Sequence, residues 1–351
     1  MLSVRDSHTA YFESRSSRRA VLRNGIALLS DINFQKVPKV DPELKELLLK
    51  EVVIANLEGY VDDEPGNNTL GMTEDSIKKM RELLNIRFVS LANNHSLDGG
   101  KKGFRRTEEA LQNVGITSFG TRERPYVIFE NSGKKIGVLA FAWRFTGAKS
   151  RVLNLCWISL KKIIKQVSKL KSEVEYLIVY PHWGVDFEVL PTPWQMAAAN
   201  RIVSAGANLI VGHHSHTIQP AMKNVYFSIG NTFMPKNEVT SYHSGRSNSG
   251  LIIELDKEND SSVSPRMMGS SPDSMYLQGD SENRNSELDP SLTSNLKRYC
   301  EFFRSKRIKR TMPVFCGNAC DYFARIPYVL LLESLVSTGF VKKLLRNRRR
   351  T

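Results

Sequence analysis

The chain has 351 residues, of which 41% are hydrophobic and 25% are charged, with a formal net charge of +14. These proportions are typical of a soluble globular protein, and the length suits one large domain with an appendage. Four cysteines at this length exclude a disulfide scaffold. The sequence contains no run of about 18 uncharged apolar residues, so it predicts no membrane-spanning helix.

The positive charge lies at the two ends of the chain. Residues 297–351 contain 14 Lys or Arg against 3 Asp or Glu, and residues 1–24 contain 5 Arg against 2 acidic residues. Residues 25–296 are therefore neutral overall. A neutral body with a basic C-terminal segment predicts contact with phosphate, anionic lipid or an acidic polymer, and a solvated tail is the alternative.

Short apolar runs alternate along the chain with helical patterns, which indicates an α/β fold. Thr73 is a predicted helix N-cap and Gly115 a predicted helix end. Strands are predicted at residues 26–29, 52–54, 88–91, 176–180, 209–211, 225–229 and 250–255, with a hairpin at 126–129 and 135–141. Helices are predicted at residues 42–50, 73–84, 103–113, 158–170 and 192–205.

Composition divides the chain into four parts: a basic leader at 1–24, a folded domain at 25–256, a polar linker or loop at 257–296, and a basic, partly helical extension at 297–351. Helices are expected at 298–309 and near the C-terminus. Residues 326–341 are apolar with basic flanks, a pattern that suits a helix on a membrane surface or one packed on a core. No signal peptide is visible, which predicts a cytoplasmic or peripheral membrane location.

The most informative stretch is Gly212-His213-His214-Ser215-His216, which follows the apolar run 209–211. His214 and His216 are two residues apart, so both can face one ion only if the backbone turns there, and the preceding glycine fits such a turn. Imidazole suits zinc, iron, manganese and other transition ions. A solvated loop rich in histidine is the alternative.

Polar side chains follow five predicted strands directly. In open α/β sheets, sites gather outside the carboxyl ends of strands, so these residues are expected to converge. Their mixed oxygen and nitrogen atoms are the kind that hold one or two divalent ions such as Mn, Fe or Zn. Each residue alone is also explained as a turn, a cap or a buried histidine. The five clusters are Asp31 with Asn33, Asn56 with Glu58, Asn94 with His95, His182, and His214 with His216.

These motifs, in this order, resemble the poly-gamma-glutamate capsule biosynthesis (CapA-type) family, a branch of the calcineurin-like metallophosphoesterases. The resemblance covers roughly residues 26–256 and implies a four-layer α/β/β/α sandwich with a two-metal site at one edge. The motifs that carry it are Ser30-Asp31, Asn56-Leu57-Glu58, Leu91-Ala92-Asn93-Asn94-His95 with Asp98 and Gly100, His182-Trp183-Gly184, Gly212 to His216 with Gln219-Pro220, and Tyr226 to Asn231.

The resemblance also implies a role for each site residue. Asp31 and His216 would bind the first metal, Glu58 would bridge the two ions, and Asn94, His182 and His214 would bind the second. The catalytic pair would be Asn94 and His95, with His95 protonating a leaving oxygen.

Four features depart from the family pattern. Asn33 stands where the superfamily usually has histidine, so this candidate ligand would hold the first metal weakly. Ser30 and Thr232 replace the usual glycine and phenylalanine. The acidic residue that often follows the His-Trp-Gly motif is expected later, as Asp186 or Glu188.

Two functional hypotheses follow. The first is a metal-dependent, phosphoesterase-like hydrolase in the synthesis or export of a capsule or poly-gamma-glutamate-type polymer, and the retained candidate ligands favour it. The second is a non-catalytic accessory protein that binds an anionic polymer or a capsule synthase complex at the membrane. The expected partners are an anionic polymer or phosphorylated substrate, a synthase complex, and a membrane contacted through the basic C-terminal segment. Nucleic acid is disfavoured, because no recognisable module with interleaved aromatic residues is present.

Overall fold

The computed structural model describes residues 25–66, 69–148, 151–156, 160–235, 248–255 and 263–278. Five α-helices are found in these ranges: α1 (Pro42–Leu49), α2 (Glu74–Leu84), α3 (Gly100–Asn113), α4 (Lys161–Lys171) and α5 (Pro193–Ser204). The strands are β1 (Ile26–Ile32), β2 (Lys39–Val40), β3 (Val52–Leu57), β4 (Tyr60–Val61), β5 (Gly71–Met72), β6 (Ile86–Ser90), β7 (Thr117–Phe119), β8 (Tyr126–Asn131), β9 (Lys134–Trp143), β10 (Leu155–Cys156), β11 (Tyr176–His182), β12 (Leu209–Val211), β13 (Val225–Tyr226), β14 (Asn231–Phe233), β15 (Ser249–Leu255), β16 (Val263–Ser271) and β17 (Ser274–Leu277).

The strands form two large sheets. The first has the order β2-β17-β16-β15-β1-β3-β6-β7, with β14 paired to β1, and the second has the order β10-β9-β11-β12-β13, with β8 paired to β9. Strands β1, β3, β6 and β7 run parallel, as do β9, β11 and β12. Each sheet therefore gathers the carboxyl ends of several strands at one edge.

Successive side chains of β9 and β11 point to opposite faces of the second sheet, and each face packs against a different layer. Val138 and Ala140 of β9 and Ile178 of β11 belong to the core shared with the first sheet. Their neighbours Leu139 and Leu177 belong to a second core. Helices α4 and α5 pack on that second core, whereas α1, α2 and α3 pack against strands of the first sheet. The predicted α/β/β/α sandwich is confirmed.

Local signals place the helix ends close to where the sequence predicts them. Thr73 accepts a hydrogen bond from the backbone N of Ser76, which confirms it as the N-cap of α2. At the start of α5, Thr192 and Gln195 form a reciprocal capping box. Gly115, two residues beyond α3, has a φ of 70°. This left-handed backbone suits glycine and confirms the predicted helix end.

Two predictions about the C-terminal part of the sheet are wrong. Residues 225–229 do not form one strand, because the chain leaves β13 at Tyr226 and pairs again with β1 as β14. The polar segment 257–296 contains the strands β16 and β17, which extend the first sheet beyond β15. Met267, Met268 and Met275 of these strands are buried, whereas Val263 and Leu277 are half-buried and Tyr276 is exposed.

Other segments of the sequence prediction lie outside the described residues. These are the basic leader at 1–24, the predicted helix at 298–309 and the apolar stretch at 326–341. Among the residues that the structure does describe, no helix is both long and apolar enough to cross a membrane.

The buried methionines of β16 and β17 generate a stability prediction. Met268 is 1% exposed, so Met268→Ala should lower the unfolding free energy by about 2–5 kcal/mol through lost burial and the cavity left behind. Ser264→Ala, at an exposed position of the same strand, should change it by less than about 0.5 kcal/mol. Urea denaturation measures both, and equal effects would show that this hairpin does not belong to the folded domain.

Candidate metal centre

Strand register brings the predicted site residues together. Asn231, Asp31, Asn56 and Ser90 stand side by side across β14, β1, β3 and β6 of the first sheet. In the second sheet, His182 at the end of β11 pairs with His213, which lies just beyond β12. The two rows meet where the Nδ1 atom of His213 lies 3.1 Å from Oδ1 of Asp31.

Asp31 is fully buried and has partners on both carboxylate oxygens. Its Oδ1 accepts a hydrogen bond from Nδ2 of Asn56 at 2.8 Å, and its Oδ2 accepts one from the backbone N of His214 at 3.0 Å. Burial alone would raise the pKa of Asp31, but the neighbouring imidazoles of His213 and His182 outweigh it and hold the pKa well below the usual range. Asp31 is therefore an anion in the folded protein.

Glu58 has the opposite environment. Its side chain is fully buried, and neither carboxylate oxygen has a hydrogen-bond partner among the described residues. Burial, followed by the charges of Asp31, Asp186 and Asp98, raises the pKa of Glu58 well above its usual value. A buried carboxylate without a partner is costly, and a bound cation removes that cost. Three imidazole nitrogens lie around it: Nε2 of His95 at 3.9 Å, Nε2 of His182 at 3.9 Å and Nδ1 of His216 at 4.0 Å.

His182 and His214 are buried imidazoles that remain neutral. Burial lowers the pKa of His182 well below its usual value, with the nearby His214 adding to the effect, and burial lowers the pKa of His214 to about 4. Nε2 of His182 lies 2.6 Å from Oδ1 of Asn94, whereas Nε2 of His214 lies 3.2 Å from Oδ1 of Asp186. The buried Nδ1 of His214 has no hydrogen-bond partner. Neutral imidazole is the form that binds metal ions.

The backbone turns at the histidines as the sequence predicts. His214 has a φ of 97° and His216 a φ of 54°, a left-handed conformation that non-glycine residues seldom adopt and that concentrates at functional sites. The prediction that Gly212 provides this turn is wrong. A Cβ atom there would lie 2.2 Å from the carbonyl O of Phe227 and 2.3 Å from Nε1 of Trp183, so glycine allows close packing while the histidines themselves make the turn.

Among the residues that the structure describes, three groups of side chains have ligand atoms close enough to hold a metal ion. Glu58 belongs to two of them, once with His182 and His214 and once with Asp31 and His216. These are the sets that the family resemblance assigns to the second and first metals. The remaining group contains Asp31, His182 and His213.

Asn33 is held by other contacts. Its Nδ2 donates to the carbonyl oxygens of Glu58 at 2.8 Å and Leu70 at 2.9 Å, and its Oδ1 accepts from the backbone N of Gln35 at 2.9 Å. Every one of these bonds is made to backbone. Asn33 thus fixes the loop that carries Glu58, and these contacts do not support its predicted role as a ligand.

His95 lies at the edge of the cluster. Its Nδ1 is 2.7 Å from Oδ2 of Asp98, which turns Nε2 towards Glu58. The side chain of His95 is 32% exposed, whereas those of Glu58 and His182 are 0% exposed. His95 is therefore the histidine of this cluster that is most open to a molecule arriving from solvent.

The sequence predicts no role for His213, and it leaves open whether the acidic residue after the His-Trp-Gly motif is Asp186 or Glu188. His213 contacts both Asp31 and His182, the latter through their Nδ1 atoms at 2.8 Å. Its position directly after a buried strand, as for the other site residues, was the available signal. For Asp186, the distance to His214 is what distinguishes it from Glu188, whose Oε1 accepts from the backbone N of Val189 and of Leu190.

Comparison with known proteins identifies the family. A sequence model of the bacterial capsule synthesis protein family PGA_cap matches residues 27–236. This chain belongs to that family. It is 28% identical to the capsule biosynthesis protein CapA of Bacillus anthracis over 230 residues, 59% of this chain and 56% of that protein. It is 27% identical to the PGA biosynthesis protein CapA of Bacillus subtilis (strain 168) over 175 residues, 46% of each chain. The chain spans about half the length of these curated relatives.

Solved structures with a related architecture are more distant. A phosphatase from Mycoplasma pneumoniae aligns with a TM-score of 0.45 and 11% identity, covering 71% of this chain and 95% of that one. A 5'-nucleotidase from Candida albicans aligns with a TM-score of 0.45 and 12% identity, covering 80% of this chain and 59% of that one. Similarity at this level carries no information on activity.

The raised pKa of Glu58 predicts a pH-dependent stability in the metal-free protein. Above the usual pKa of glutamate, the unfolded chain releases the Glu58 proton whereas the folded protein keeps it. Between that pKa and the raised pKa of folded Glu58, this group therefore lowers the unfolding free energy as pH rises. His214 has the opposite effect, because burial lowers its pKa in the folded state. It raises the unfolding free energy as pH rises from about 4 to the pKa of this histidine in the unfolded chain. That contribution is common to wild type and Glu58→Gln, so their difference isolates Glu58.

We therefore expect Glu58→Gln to become increasingly stable relative to wild type as pH rises from about 5 to about 8. Urea unfolding in the presence of a chelator measures the difference. Glu51→Gln is the matched control, since Glu51 is a buried glutamate just before β3 whereas Glu58 lies just after it. A difference that does not change with pH would show that Glu58 is ionised without a cation.

Proposed function

We propose that this protein is a divalent-metal-dependent hydrolase of the phosphoesterase type that acts during synthesis of a capsule or poly-gamma-glutamate-type surface polymer. The observation that carries the proposal is the buried Glu58 carboxylate, which has no hydrogen-bond partner in the described part of the chain and is common to two groups of candidate ligands. The names of the curated relatives support the polymer context.

The residues present fit a pair of divalent ions. Asp31, Glu58 and His216 would hold one ion, and Glu58, Asn94, His182 and His214 would hold the other. Carboxylate, amide and neutral imidazole ligands suit Mn, Fe or Zn. When bound, such ions stabilise the charge of a reacting phosphoryl group and lower the pKa of a water molecule.

The chain itself orients the reacting groups. Asp98 accepts from Nδ1 of His95, which directs Nε2 at the cluster; in the imidazolium form Nε2 would carry a second proton to give to a leaving oxygen. Asp186 holds the ring of His214 through Nε2, which leaves Nδ1 for an ion. The ligands are buried while His95 is partly exposed, so a phosphorylated or anionic substrate would approach from the His95 side.

Metal analysis combined with kinetics tests the proposal. We expect wild-type protein to bind about two Mn²⁺ ions per chain and to hydrolyse an aryl phosphodiester only when Mn²⁺ is present. His214→Ala should lose one ion and at least about 100-fold in turnover, since a metal contributes several kcal/mol to the transition state. Asn200→Ala, at an exposed position of α5, should retain both properties.

The accessory hypothesis predicts a different result. A wild-type protein that holds no metal and shows no turnover with added Mn²⁺ would contradict the hydrolase. It would favour a protein that binds an anionic polymer or a capsule synthase complex. Unchanged metal content in His214→Ala would contradict the assignment of His214 alone.

We also propose peripheral contact between the basic C-terminal segment and an anionic membrane, in keeping with a cytoplasmic or peripheral location. Six Lys or Arg fall between residues 342 and 350, next to the apolar stretch 326–341. Basic residues near an anionic bilayer contribute about 1 kcal/mol each. The full chain should therefore sediment with phosphatidylglycerol vesicles and not with phosphatidylcholine vesicles. Replacing these six residues with Gln should abolish sedimentation, and binding that survives the replacement would contradict the proposal.

A further inference from the structure

Asn231 is a polar residue of the cluster to which the family resemblance gives no role. It begins β14, where it pairs in register with Asp31 of the parallel strand β1. Neighbouring strands lie about 4.8 Å apart, and residues in register project towards the same face. The side chain of Asn231 therefore leaves the sheet beside that of Asp31, and the residue is 2% exposed.

The amide of Asn231 reaches the atoms assigned to the first ion. Its Oδ1 lies 2.8 Å from Nδ1 of His216. That same nitrogen is 3.7 Å from Oδ2 of Asp31 and 4.0 Å from Oε2 of Glu58. Ligand atoms at adjacent positions around an ion with bonds of about 2.1 Å are separated by about 3 Å. The His216–Asn231 separation is a hydrogen-bond distance that also matches two adjacent ligands of one ion.

The residues expected to bind the second ion include a similar contact between an amide oxygen and an imidazole nitrogen. There, Oδ1 of Asn94 lies 2.6 Å from Nε2 of His182, and Asn94 is the amide expected to bind the second ion. Each candidate ion position thus has one asparagine oxygen in contact with one imidazole nitrogen. Asn33 is occupied by backbone contacts, so any ligand of the first ion in its place would have to come from another residue.

Neighbouring contacts fix Asn231 in place. The backbone N of Ser30 donates to Oγ1 of Thr232 at 2.7 Å, and Oγ of Ser30 donates to the carbonyl O of Gly230 at 2.5 Å. These bonds connect the residue before Asp31 to the residues on either side of Asn231. Gly230 has a φ of 77°, and a Cβ atom there would lie 2.3 Å from the carbonyl O of Ser249, so the turn into β14 requires glycine.

We infer that Asn231 is a ligand, through Oδ1, of the ion held by Asp31, Glu58 and His216. The inference rests on the proposed function, because it assumes that this cluster binds metal. An amide oxygen is a neutral ligand that adds no further charge to a site already containing two carboxylates. It replaces the histidine that the superfamily usually has at the position of Asn33.

Titration of chelator-treated protein with Mn²⁺ tests the inference. Wild type should bind two ions and give the paramagnetic resonance signal of a coupled pair. Asn231→Ala should weaken one ion by at least about tenfold and give the signal of isolated Mn²⁺. Asn231→Asp, which restores an oxygen at that position, should bind two ions again. Asn154→Ala is the control, because Asn154 is a buried asparagine that donates from Nδ2 to the carbonyl O of Ala140 and to Oε1 of Gln166. Thermal unfolding in chelator verifies that each variant is folded.

Isotope labelling separates ligation from mere support of His216. In protein labelled with ¹³C at the asparagine side-chain carbonyl and carrying Asn94→Ala, electron–nuclear double resonance should detect ¹³C coupled to Mn²⁺. The coupling should vanish when Asn231→Asp is added. Weaker binding in Asn231→Ala without a ¹³C coupling would overturn ligation and leave Asn231 as a positioning residue. Unchanged binding in Asn231→Ala would also overturn it, whereas a wild type that binds no Mn²⁺ would refute the proposed function itself.

Discussion

Two carboxylates buried together, Asp31 and Glu58, are the constraint on which the rest of this structure depends. Their pKa values move in opposite directions: burial and then nearby acidic groups raise that of Glu58, whereas the imidazoles of His213 and His182 outweigh burial and lower that of Asp31. A protein interior does not support two unpaired negative charges at such a site. The surrounding elements therefore have to supply cations, protons or both.

The two-sheet architecture meets this requirement by bringing different ligands from different sheets. The first sheet supplies oxygen atoms at the ends of β1 and β3, and the second supplies imidazoles after β11 and β12. Direct bonds join the sheets at this level, since the backbone N of His214 donates to Asp31 and the Tyr180 hydroxyl donates to the carbonyl O of Leu29. The site is thus also part of the contact that holds the sandwich together.

Much of this arrangement could be predicted because it is local in the sequence. An apolar run followed at once by a polar residue marks the carboxyl end of a strand, and parallel strands place those ends together. This reasoning located Asp31, Glu58, His182 and the turn at His214. It failed where the outcome depends on a distant partner. Nothing in the sequence near Asn33 indicates that its amide is engaged by the carbonyl oxygens of Glu58 and Leu70.

Dependence on a distant partner also explains why β16 and β17 are not predicted from the sequence. β16 and β17 lie in a segment rich in Ser, Asn and Asp, and Ser, Pro and Gly interrupt the apolar residues of β16, so the segment is typical of a loop. They become strands because β15 offers an unpaired edge, with Leu251 in register with Met267 and the methionines buried against the sheet. Pairing across a sheet edge is a tertiary effect that overrides weak local preference.

The departures from the family pattern gain a physical account when they are considered as a set. Ser30 and Thr232 look unrelated in the sequence, being 202 residues apart, but they bond to each other and connect the strand of Asp31 to that of Asn231. A phenylalanine at position 232 could not accept this bond, and a glycine at position 30 could not donate a hydroxyl to the carbonyl O of Gly230 as Ser30 does, because neither carries a hydroxyl group. Asn33 in place of the usual histidine would leave the proposed first ion with one nitrogen ligand fewer, and the Ser30–Thr232 bond secures the strand that carries Asn231, the amide proposed to bind that ion. A chain that had merely lost its metal would have no physical reason to retain a buried carboxylate without a partner beside such a reinforced strand pair.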